Sequence, residues 1–281
     1  MKLLRYGPPG AEKPAMLDRD GTIRCLASVV RDIDGFALSD AALKMIAGLD
    51  PNTLPKVDPS TRLGSCVARP VNYVCIGLNY ADHAAEAGMP VPKEPIIFLK
   101  SLSALCGPND DVKMPRGSKK LDWEVELGIV IGKKASYVPE SQSMDHVAGY
   151  CVCNDVSERE YQLERAGTWD KGKGCDTFGP TGPWMVTKDE VRDPQNLPLW
   201  TEVNGKRYQN GTTKTMIFGV VKLVSYVSHF ITLHPGDVIA TGTPPGVGQG
   251  VKPEPVFLRP GNVMKLSVEG LGVQTQRVVE A

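Results

Sequence analysis

The sequence predicts a strand-rich α+β fold in which sheets wrap on one another. A small N-terminal α+β domain is expected over residues 1–68, and a larger domain over residues 69–281. Many short apolar runs rich in Val, Ile and aromatic residues alternate with clusters of Gly, Pro, Asn and Asp, which is typical of strands joined by turns. Few stretches show the three-to-four residue spacing of a helix. A polar, Pro-rich stretch, DPNTLPKVDPSTRLGS, indicates a linker between the two parts.

The elements of both parts are short. In the N-terminal part, KLLRY, PAMLD and TIRCLASVV predict strands, and SDAALKMIAG predicts a helix that ends at Gly48. From Arg69 onward the predicted strands are NYVCIGL, EPIIFLK, WEVELGIVIG, GYCVCNDVS, PWMVT, LPLWTEVNG, DVIATGT, VMKLSVEGLG and TQRVVE. The predicted helices of that part are NYADHAAEAG, SEREYQLERAG and FGVVKLVSYVSHFITL. Such a fold offers a cavity walled by strand faces.

The composition is that of a globular protein with a sizeable core, because 41% of the 281 residues are hydrophobic and 23% are charged. The 32 basic and 32 acidic side chains balance, so no net charge favours nucleic acid or a membrane as a partner. No apolar run reaches the roughly 18 residues that would span a bilayer, and MKLLRYGPPG lacks the apolar core of a secretory signal. A cytoplasmic protein is therefore expected.

The 7 cysteines are an odd number, and several lie in apolar runs such as YVCIG and GYCVCND. Free thiols that pack as small hydrophobic groups fit this pattern best. A C-x-C pair without a second Cys or His pair is a poor zinc site, and a Cys nucleophile would need a His partner that spacing alone does not identify. Both functional readings of the thiols are therefore disfavoured.

Two glutamates, Glu124 and Glu126, lie two residues apart in the strand run LDWEVELGIVIG. Residues two apart point to the same face of a strand, where two carboxylates repel each other unless a positive charge lies between them. Asp155 ends the later run GYCVCND and could join them from a neighbouring strand. Three converging carboxylates favour Mg²⁺ or Mn²⁺. The alternative is a solvated edge strand, with Asp155 as a turn residue.

A second candidate group lies in ADHAAEAG, where His83 and Glu86 are three residues apart. On a helix they share one face, and a carboxylate beside an imidazole fixes its tautomer and raises its basicity. The pair is therefore a candidate general base, with two exposed helix residues as the alternative. Gly77 and Gly88 flank the segment and are candidate hinges.

Further polar side chains follow Asp155. Arg159 and Gln162 are spaced i and i+3, and Lys173 lies in KGKG with Lys171 as a neighbouring candidate. A guanidinium, an amide and an ammonium beside a metal suit a 2-oxo acid, whose carboxylate needs cations. The alternative is an exposed charged helix followed by a basic turn.

Seven motifs in order resemble the fumarylacetoacetate hydrolase family, and the resemblance covers about residues 69 to 281. They are GLNYADHAAE, EPIIFLK, LDWEVELGIVIG, GYCVCNDVSERE, KGKGCDTFGPTGP, VNGKRYQNGTTKTMIF and PGDVIATGTPPGVG. The resemblance implies a catalytic domain with a mixed β-sandwich roll and a homodimer. It also implies one Mg²⁺ or Mn²⁺ per subunit on Glu124, Glu126 and Asp155, and a His and Glu on a lid that activates water.

By the same resemblance, Arg159, Gln162 and Lys173 contact the oxo acid, and Thr243 in the loop TGTPPGVG lines the pocket. The family's larger eukaryotic enzymes have a fourth carboxylate ligand before the catalytic His. Here Asp82 precedes His83 directly, so this chain resembles the shorter, three-carboxylate branch. Its substrate is then not assumed to be fumarylacetoacetate.

The activity that follows is metal-dependent hydrolysis of a carbon–carbon bond in a 2,4-dioxo acid, either an acylpyruvate or a 2,4-diketo-3-deoxy sugar acid. Within the family, the resemblance is strongest to the bacterial 2,4-diketo-3-deoxy-L-fuconate hydrolases and to similar chains known as ureidoglycolate lyases. Ureidoglycolate lyase and oxaloacetate decarboxylase are the enzymatic alternatives. A catalytically inactive, oligomeric binding protein is the non-enzymatic one.

Overall fold

A computed structural model describes residues 1–281 and shows a strand-rich α+β protein, as predicted. The strands, in chain order, are β1 Lys2–Tyr6, β2 Lys13–Leu17, β3 Ile23–Cys25, β4 Tyr73–Gly77, β5 Ile96–Leu99, β6 Leu105–Cys106, β7 Val112–Met114, β8 Leu121–Asp122, β9 Val125–Ile131, β10 Val147–Asn154, β11 Ser157–Glu158, β12 Gly179–Pro180, β13 Met185–Thr187, β14 Pro198–Val203, β15 Lys206–Thr212, β16 Val238–Ala240, β17 Val263–Val268 and β18 Val273–Glu280.

The helices are few and short, and none is long and apolar enough to cross a membrane. The α-helices are α1 Asp40–Ala47, α2 Ala81–Glu86, α3 Arg159–Leu163, α4 Asp170–Lys173 and α5 Val220–Ser228. The 3₁₀ helices are Pro51–Thr53, Leu102–Ala104, Glu140–His146, Lys188–Glu190, Thr213–Thr215 and Gly248–Gly250. The helix predicted in the N-terminal part is confirmed: Ser39 caps α1 by accepting from the amide of Ala42, and Gly48 ends it.

A nine-stranded mixed sheet carries the candidate site. Its order is β3-β2-β1-β13-β10-β9-β16-β4-β5, and β16 and β4 form its one parallel pair. The fully buried strand β9 runs near the middle of the sheet and pairs antiparallel with β10. Because side chains alternate along a strand, Val125, Leu127 and Ile129 enter the main core, whereas Glu126 points to the opposite face.

A second sheet covers the apolar face of β9. It has five strands in the order β15-β14-β17-β18-β7. Leu199 and Leu266 from this sheet join Leu127 and Ile129 in a single buried core, so the two sheets pack as a sandwich. This packing agrees with the mixed β-sandwich that the sequence motifs implied.

The N-terminal residues extend the nine-stranded sheet. Strand β1 pairs antiparallel with β13, and β2 and β3 continue the sheet beyond it. A second apolar core lies behind the sheet, where Leu26 and Ile33 pack in one cluster with Val130 and Val238. Residues 1–68 thus support the face of the sheet behind the main core. Their folding as a separate domain stays a prediction.

Candidate metal-binding active site

Two adjacent strands bring three carboxylates together. In the β9–β10 pair Glu126 lies opposite Cys153, and the backbone amide of Asp155 donates to the carbonyl of Glu124 over 2.9 Å. One ligand oxygen from each of Glu124, Glu126 and Asp155 lies within 4.8 Å of the others, and all three residues are buried. The alternative of a solvated edge strand is wrong, because β9 is flanked by strands on both sides.

Two buried cations neutralise part of this cluster. Lys173 Nζ lies 2.8 Å from Glu124 Oε2 and 2.7 Å from Asp155 Oδ2. Arg159 Nη2 lies 2.7 Å from Glu124 Oε1. Burial acts to raise the pKa of Glu124, but the charges of Lys173 and Arg159 outweigh it and lower that pKa to about 2. Burial acts to lower the pKa of Lys173, but Asp155 and Glu124 raise it to about 12.

Glu126 differs because no side-chain cation contacts it. Its Oε2 accepts from the backbone amide of Gly242 over 2.8 Å. Burial, and then the charges of Asp155 and Glu124, hold the pKa of Glu126 well above its ordinary value. Gly242 has φ +95°, and a side chain there would collide with Asn79, so this close backbone approach requires glycine.

A lysine that the sequence analysis did not assign completes the cluster. Lys100 is buried, and its Nζ lies 2.5 Å from Asp155 Oδ1 while it donates to the carbonyls of Val156 and Lys173. This short contact pairs Asp155 Oδ1 with the ammonium. A lysine at the end of an apolar strand, as in IIFLK, was the available signal.

These groups fit a divalent cation. With every group ionised, four carboxylates, those of the triad and of Asp122, face the three cations Lys100, Arg159 and Lys173, which leaves one excess negative charge. Glu126 has no side-chain cation beside it, and burial together with the charges of Asp155 and Glu124 raises its pKa, as expected of a carboxylate that lacks a positive partner. Hard carboxylate oxygens are the ligands that Mg²⁺ and Mn²⁺ prefer.

The imidazole and carboxylate of α2 form a pair, as their spacing indicated. His83 Nδ1 lies 3.0 Å from Glu86 Oε2, so a proton on Nδ1 is donated to the carboxylate and Nε2 stays free to accept one. The backbone amide of Gly246 donates to both Glu86 oxygens, over 3.0 and 3.2 Å, and fixes α2 against the loop after β16. Asp82 is exposed and accepts from Thr215, away from the triad.

The two candidate hinges of this segment differ. Gly88 has φ +65° and open space where a Cβ would lie, which fits a glycine that ends a helix in the left-handed conformation. Gly77 ends β4 beneath the indole of Trp169, and a side chain there would lie 2.3 Å from that ring. Close packing with Trp169 is thus a second reason for the glycine, and a hinge at Gly77 stays a prediction.

The arginine is held by an aspartate that the sequence analysis missed. Asp122 accepts from Arg159 Nε over 2.9 Å and from the backbone amides of Gly248 and Gln249 over 2.6 and 2.9 Å. Arg159 Nη1 also donates to Gln162 Oε1 over 3.0 Å. Asp122 thus connects the predicted oxo-acid receptor with the loop on the other side of the cavity.

The cavity has a volume of about 320 Å³, at the small end of ligand pockets. Its lining includes eight of the nine predicted site residues: His83, Glu86, Glu124, Glu126, Arg159, Gln162, Lys173 and Thr243. Asp155 lies beneath them and is 1% exposed.

The Thr243 hydroxyl donates to the carbonyl of Val125 and accepts from Gln209, so its proton is not free for a ligand. Lys171 is exposed, and its ammonium donates to the backbone carbonyl of Arg165. Lys173 is therefore the lysine of the site.

Comparison with known proteins agrees with this geometry. The family model described as fumarylacetoacetate hydrolase, C-terminal, matches residues 72–279. The chain belongs to the fumarylacetoacetate hydrolase family.

Relatives within the family cover the whole chain. A Burkholderia cenocepacia protein, provisionally named a hydrolase, is 62% identical over 281 residues, 100% of both chains. The structure of fumarylacetoacetate hydrolase from Exiguobacterium antarcticum is 34% identical with a TM-score of 0.83, covering 100% of both chains. Maleylpyruvate hydrolase from Sphingobium sp. SYK-6, in complex with manganese (II) and pyruvate, is 27% identical with a TM-score of 0.83 and the same coverage.

In this family member the fold thus brings all nine predicted residues to one cavity or directly beneath it. The buried acidic triad and the manganese complex of the maleylpyruvate hydrolase together favour a divalent metal as the cofactor. The individual roles of the residues stay predictions.

Proposed function

We propose that the protein is a Mg²⁺- or Mn²⁺-dependent hydrolase that cleaves the carbon–carbon bond between C3 and C4 of a 2,4-dioxo acid. One observation carries the proposal: the His83–Glu86 pair and the buried carboxylates Glu124 and Glu126 line the same cavity. A base that can activate water then lies beside a site for a hard cation.

Substrate binding follows from charge. With every group ionised the cluster carries one excess negative charge, and a dication reverses that sign, so the floor of the cavity then attracts the carboxylate of an oxo acid. Arg159 is oriented by Asp122 and Gln162, and its guanidinium is suited to bind that carboxylate. Glu124 and Asp155 hold Lys173 in its charged form beside the same position.

A bound dication would supply Lewis-acid polarisation of the 2-oxo group. His83 Nε2 takes a proton from water, while Glu86 stabilises the imidazolium through Nδ1. The resulting hydroxide adds to C4, and the bond between C3 and C4 breaks with its electron pair remaining on C3 as a pyruvate enolate. Lys173 stabilises that developing charge. The proton held by His83 returns to C3, which gives pyruvate and a carboxylic acid.

The relatives support the same chemistry. The Sphingobium neighbour is a maleylpyruvate hydrolase in complex with manganese and pyruvate, and the Burkholderia relative carries a hydrolase name. We extend that chemistry to this chain, with one Mg²⁺ or Mn²⁺ per subunit. A homodimer in the cytoplasm belongs to the same proposal.

Three alternatives are separable from it. Oxaloacetate decarboxylation uses the same pyruvate enolate and needs no water-activating base. A ureidoglycolate lyase would act on an alcohol where the proposed substrate has an oxo group. A catalytically inactive binding protein needs neither the base nor the cation, and the hydrogen-bonded His83–Glu86 pair argues against it.

A substrate panel tests the proposal. Acylpyruvates, 2,4-diketo-3-deoxy sugar acids, oxaloacetate and ureidoglycolate are each incubated with the protein in Mg²⁺ and in Mn²⁺, and product formation is followed. Turnover of 2,4-dioxo acids that His83→Ala lowers by about 10² to 10⁴ fold supports the hydrolase. Preferential turnover of ureidoglycolate would establish the lyase, and no turnover of any compound would leave the binding protein.

A further inference from the structure

One buried polar side chain beside the cavity has no part in the proposed reaction. Gln209, in the motif VNGKRYQNGTTKTMIF, lies on β15 at the edge of the second sheet and is the only buried residue of that strand. The pairing of β15 with β14 changes register beside it, between Thr201 and Glu202. Such a bulge re-aims the neighbouring side chains. Here it accompanies an amide that points into the protein from an otherwise exposed or half-exposed strand.

All four hydrogen-bonding positions of the Gln209 amide are occupied. Its Oε1 accepts from the backbone amide of Val125 over 3.0 Å and from the Thr201 hydroxyl over 2.9 Å. Its Nε2 donates to the Thr243 hydroxyl and to the Pro244 carbonyl, each over 2.8 Å. A backbone amide only donates and a carbonyl only accepts, so these partners also fix which way the side-chain amide faces.

Through these bonds Val125 is held at both of its backbone groups. Its amide donates to Gln209, and its carbonyl accepts from the Thr243 hydroxyl over 2.9 Å. Because Thr243 in turn accepts from Gln209, the three residues form a closed ring of hydrogen bonds. Val125 lies between Glu124 and Glu126, so the ring fixes the backbone from which both of these carboxylates project.

The ring lies where the regular sheet ends. The ladder between β9 and β16 stops at the pair Gly128 and Ala240. Beyond that pair, Thr243 and Gln209 supply the side-chain bonds that Val125 receives on this side. A buried backbone group without a partner is unfavourable, so these side chains replace the missing ladder while the loop after β16 leaves the sheet to line the cavity.

We propose that Gln209 is a positioning residue for the two metal-binding glutamates and acts through Val125 and Thr243. The inference rests on the metal site of the proposed hydrolase. Groups that orient metal ligands without touching the metal commonly contribute about tenfold to hundredfold to metal affinity. The competing choice is that Gln209 only joins the second sheet to the loop, which would affect stability but not the metal site.

Three substitutions separate these choices. Gln209→Leu removes the whole amide at similar volume, and Thr243→Val removes the hydroxyl that closes the ring. Thr201→Val is the matched control, because it removes a buried hydrogen bond to the same Gln209 oxygen without touching Val125. The dissociation constant of Mn²⁺ is measured by EPR titration of free Mn²⁺, and thermal unfolding in EDTA reports stability without metal.

Gln209→Leu is expected to raise the dissociation constant of Mn²⁺ by about tenfold to hundredfold, and Thr243→Val is expected to raise it in the same direction. The double variant is expected to bind Mn²⁺ about as well as Gln209→Leu alone, because both substitutions break one ring. Thr201→Val is expected to lower the unfolding temperature and leave Mn²⁺ affinity unchanged. If Gln209→Leu does not fold, Thr243→Val decides: weaker Mn²⁺ binding supports the proposal, and unchanged binding overturns it.

The same titrations separate this inference from the hydrolase proposal. Mn²⁺ binding that depends on Gln209 supports the positioning role, even if no 2,4-dioxo acid is turned over and the hydrolase proposal fails. Metal-dependent turnover with wild-type Mn²⁺ affinity in both ring variants retains the hydrolase and overturns the positioning role. Equal weakening by Thr201→Val also overturns it, because general destabilisation would then explain the loss. Absence of Mn²⁺ binding to the wild-type protein overturns both proposals.

Discussion

Replacing Glu86 by Gln removes the charge that orients the proposed base while nearly preserving side-chain volume. The carboxylate makes contacts in two directions, to His83 Nδ1 at 3.0 Å and to the Gly246 amide at 3.0 and 3.2 Å. In Gln an NH₂ group, which only donates, replaces one of the two acceptor oxygens, so at least one of these contacts is lost together with the charge. One hydrogen bond to a charged group is therefore lost, which costs about 1.5 to 3 kcal/mol.

At about 1.36 kcal/mol per tenfold change in rate, that loss predicts a decrease in kcat/KM of roughly 10- to 150-fold. The assay follows pyruvate release from an acylpyruvate in the presence of Mn²⁺. Glu94→Gln is the control, because Glu94 is an exposed carboxylate that accepts from Tyr226 beyond α2 and does not line the cavity. Mn²⁺ affinity is expected to stay unchanged, because Glu86 makes no contact with Glu124, Glu126 or Asp155.

A double-mutant cycle makes this prediction stricter. If Glu86 acts through His83, the double variant His83→Ala with Glu86→Gln loses about as much activity as His83→Ala alone. Additive losses would show that Glu86 acts independently of the imidazole. A change of less than about threefold in Glu86→Gln, well below the range expected for a lost charged hydrogen bond, would refute the role of the pair.

Three further outcomes are expected from the floor of the cavity. Arg159→Ala is expected chiefly to raise KM, with a loss of about 2 to 3 kcal/mol in substrate-binding free energy, because the contact with the substrate carboxylate is lost in ground and transition states alike. An unchanged KM in steady-state kinetics would contradict this role. Lys173→Met is expected chiefly to lower kcat, by roughly 10²-fold, because its ammonium stabilises charge that develops during cleavage; a pure KM effect would argue otherwise. Oxalate resembles the planar pyruvate enolate, so it is expected to inhibit competitively against the dioxo acid, and non-competitive inhibition would exclude binding at the floor.

The sequence predicts the strands of the site well, because burial imposes a pattern on them. Apart from Glu126 and Asn154, the runs around Glu126 and Cys153 are apolar, and both form fully buried strands near the middle of the sheet. The spacing of Glu124 and Glu126 sufficed to place both on one face, since the alternation of a strand is a local property.

Strand β15 was not predicted because its residues, KRYQNGT, are mostly polar and half-exposed at the edge of the second sheet. The usable signal was the dipeptide before it. Asn204 and Gly205 both have positive φ, 51° and 80°, as a tight turn between two antiparallel strands requires. A hairpin prediction from that turn would have recovered the strand.

Asp122 and Lys100 were missed for a different reason. Asp122 accepts from the amide of Gly248, which is 126 residues away in the chain, and Lys100 contacts Asp155 from the position directly after β5. Backbone amides have no sequence signature, so a carboxylate that binds them resembles any other acidic residue. Only the fold shows that these two side chains support Arg159 and Asp155.

The central claim, a carbon–carbon hydrolase whose divalent cation is held by the buried carboxylates, is tested most directly by metal removal. Pyruvate release from acylpyruvates is measured for protein treated with EDTA, before and after Mn²⁺ is restored, and for Glu126→Gln under the same conditions. The wild-type protein is expected to lose activity and regain it with Mn²⁺, whereas Glu126→Gln is expected to stay inactive because it has lost a charged ligand. Undiminished hydrolysis after EDTA treatment, or full activity of Glu126→Gln, would contradict the claim.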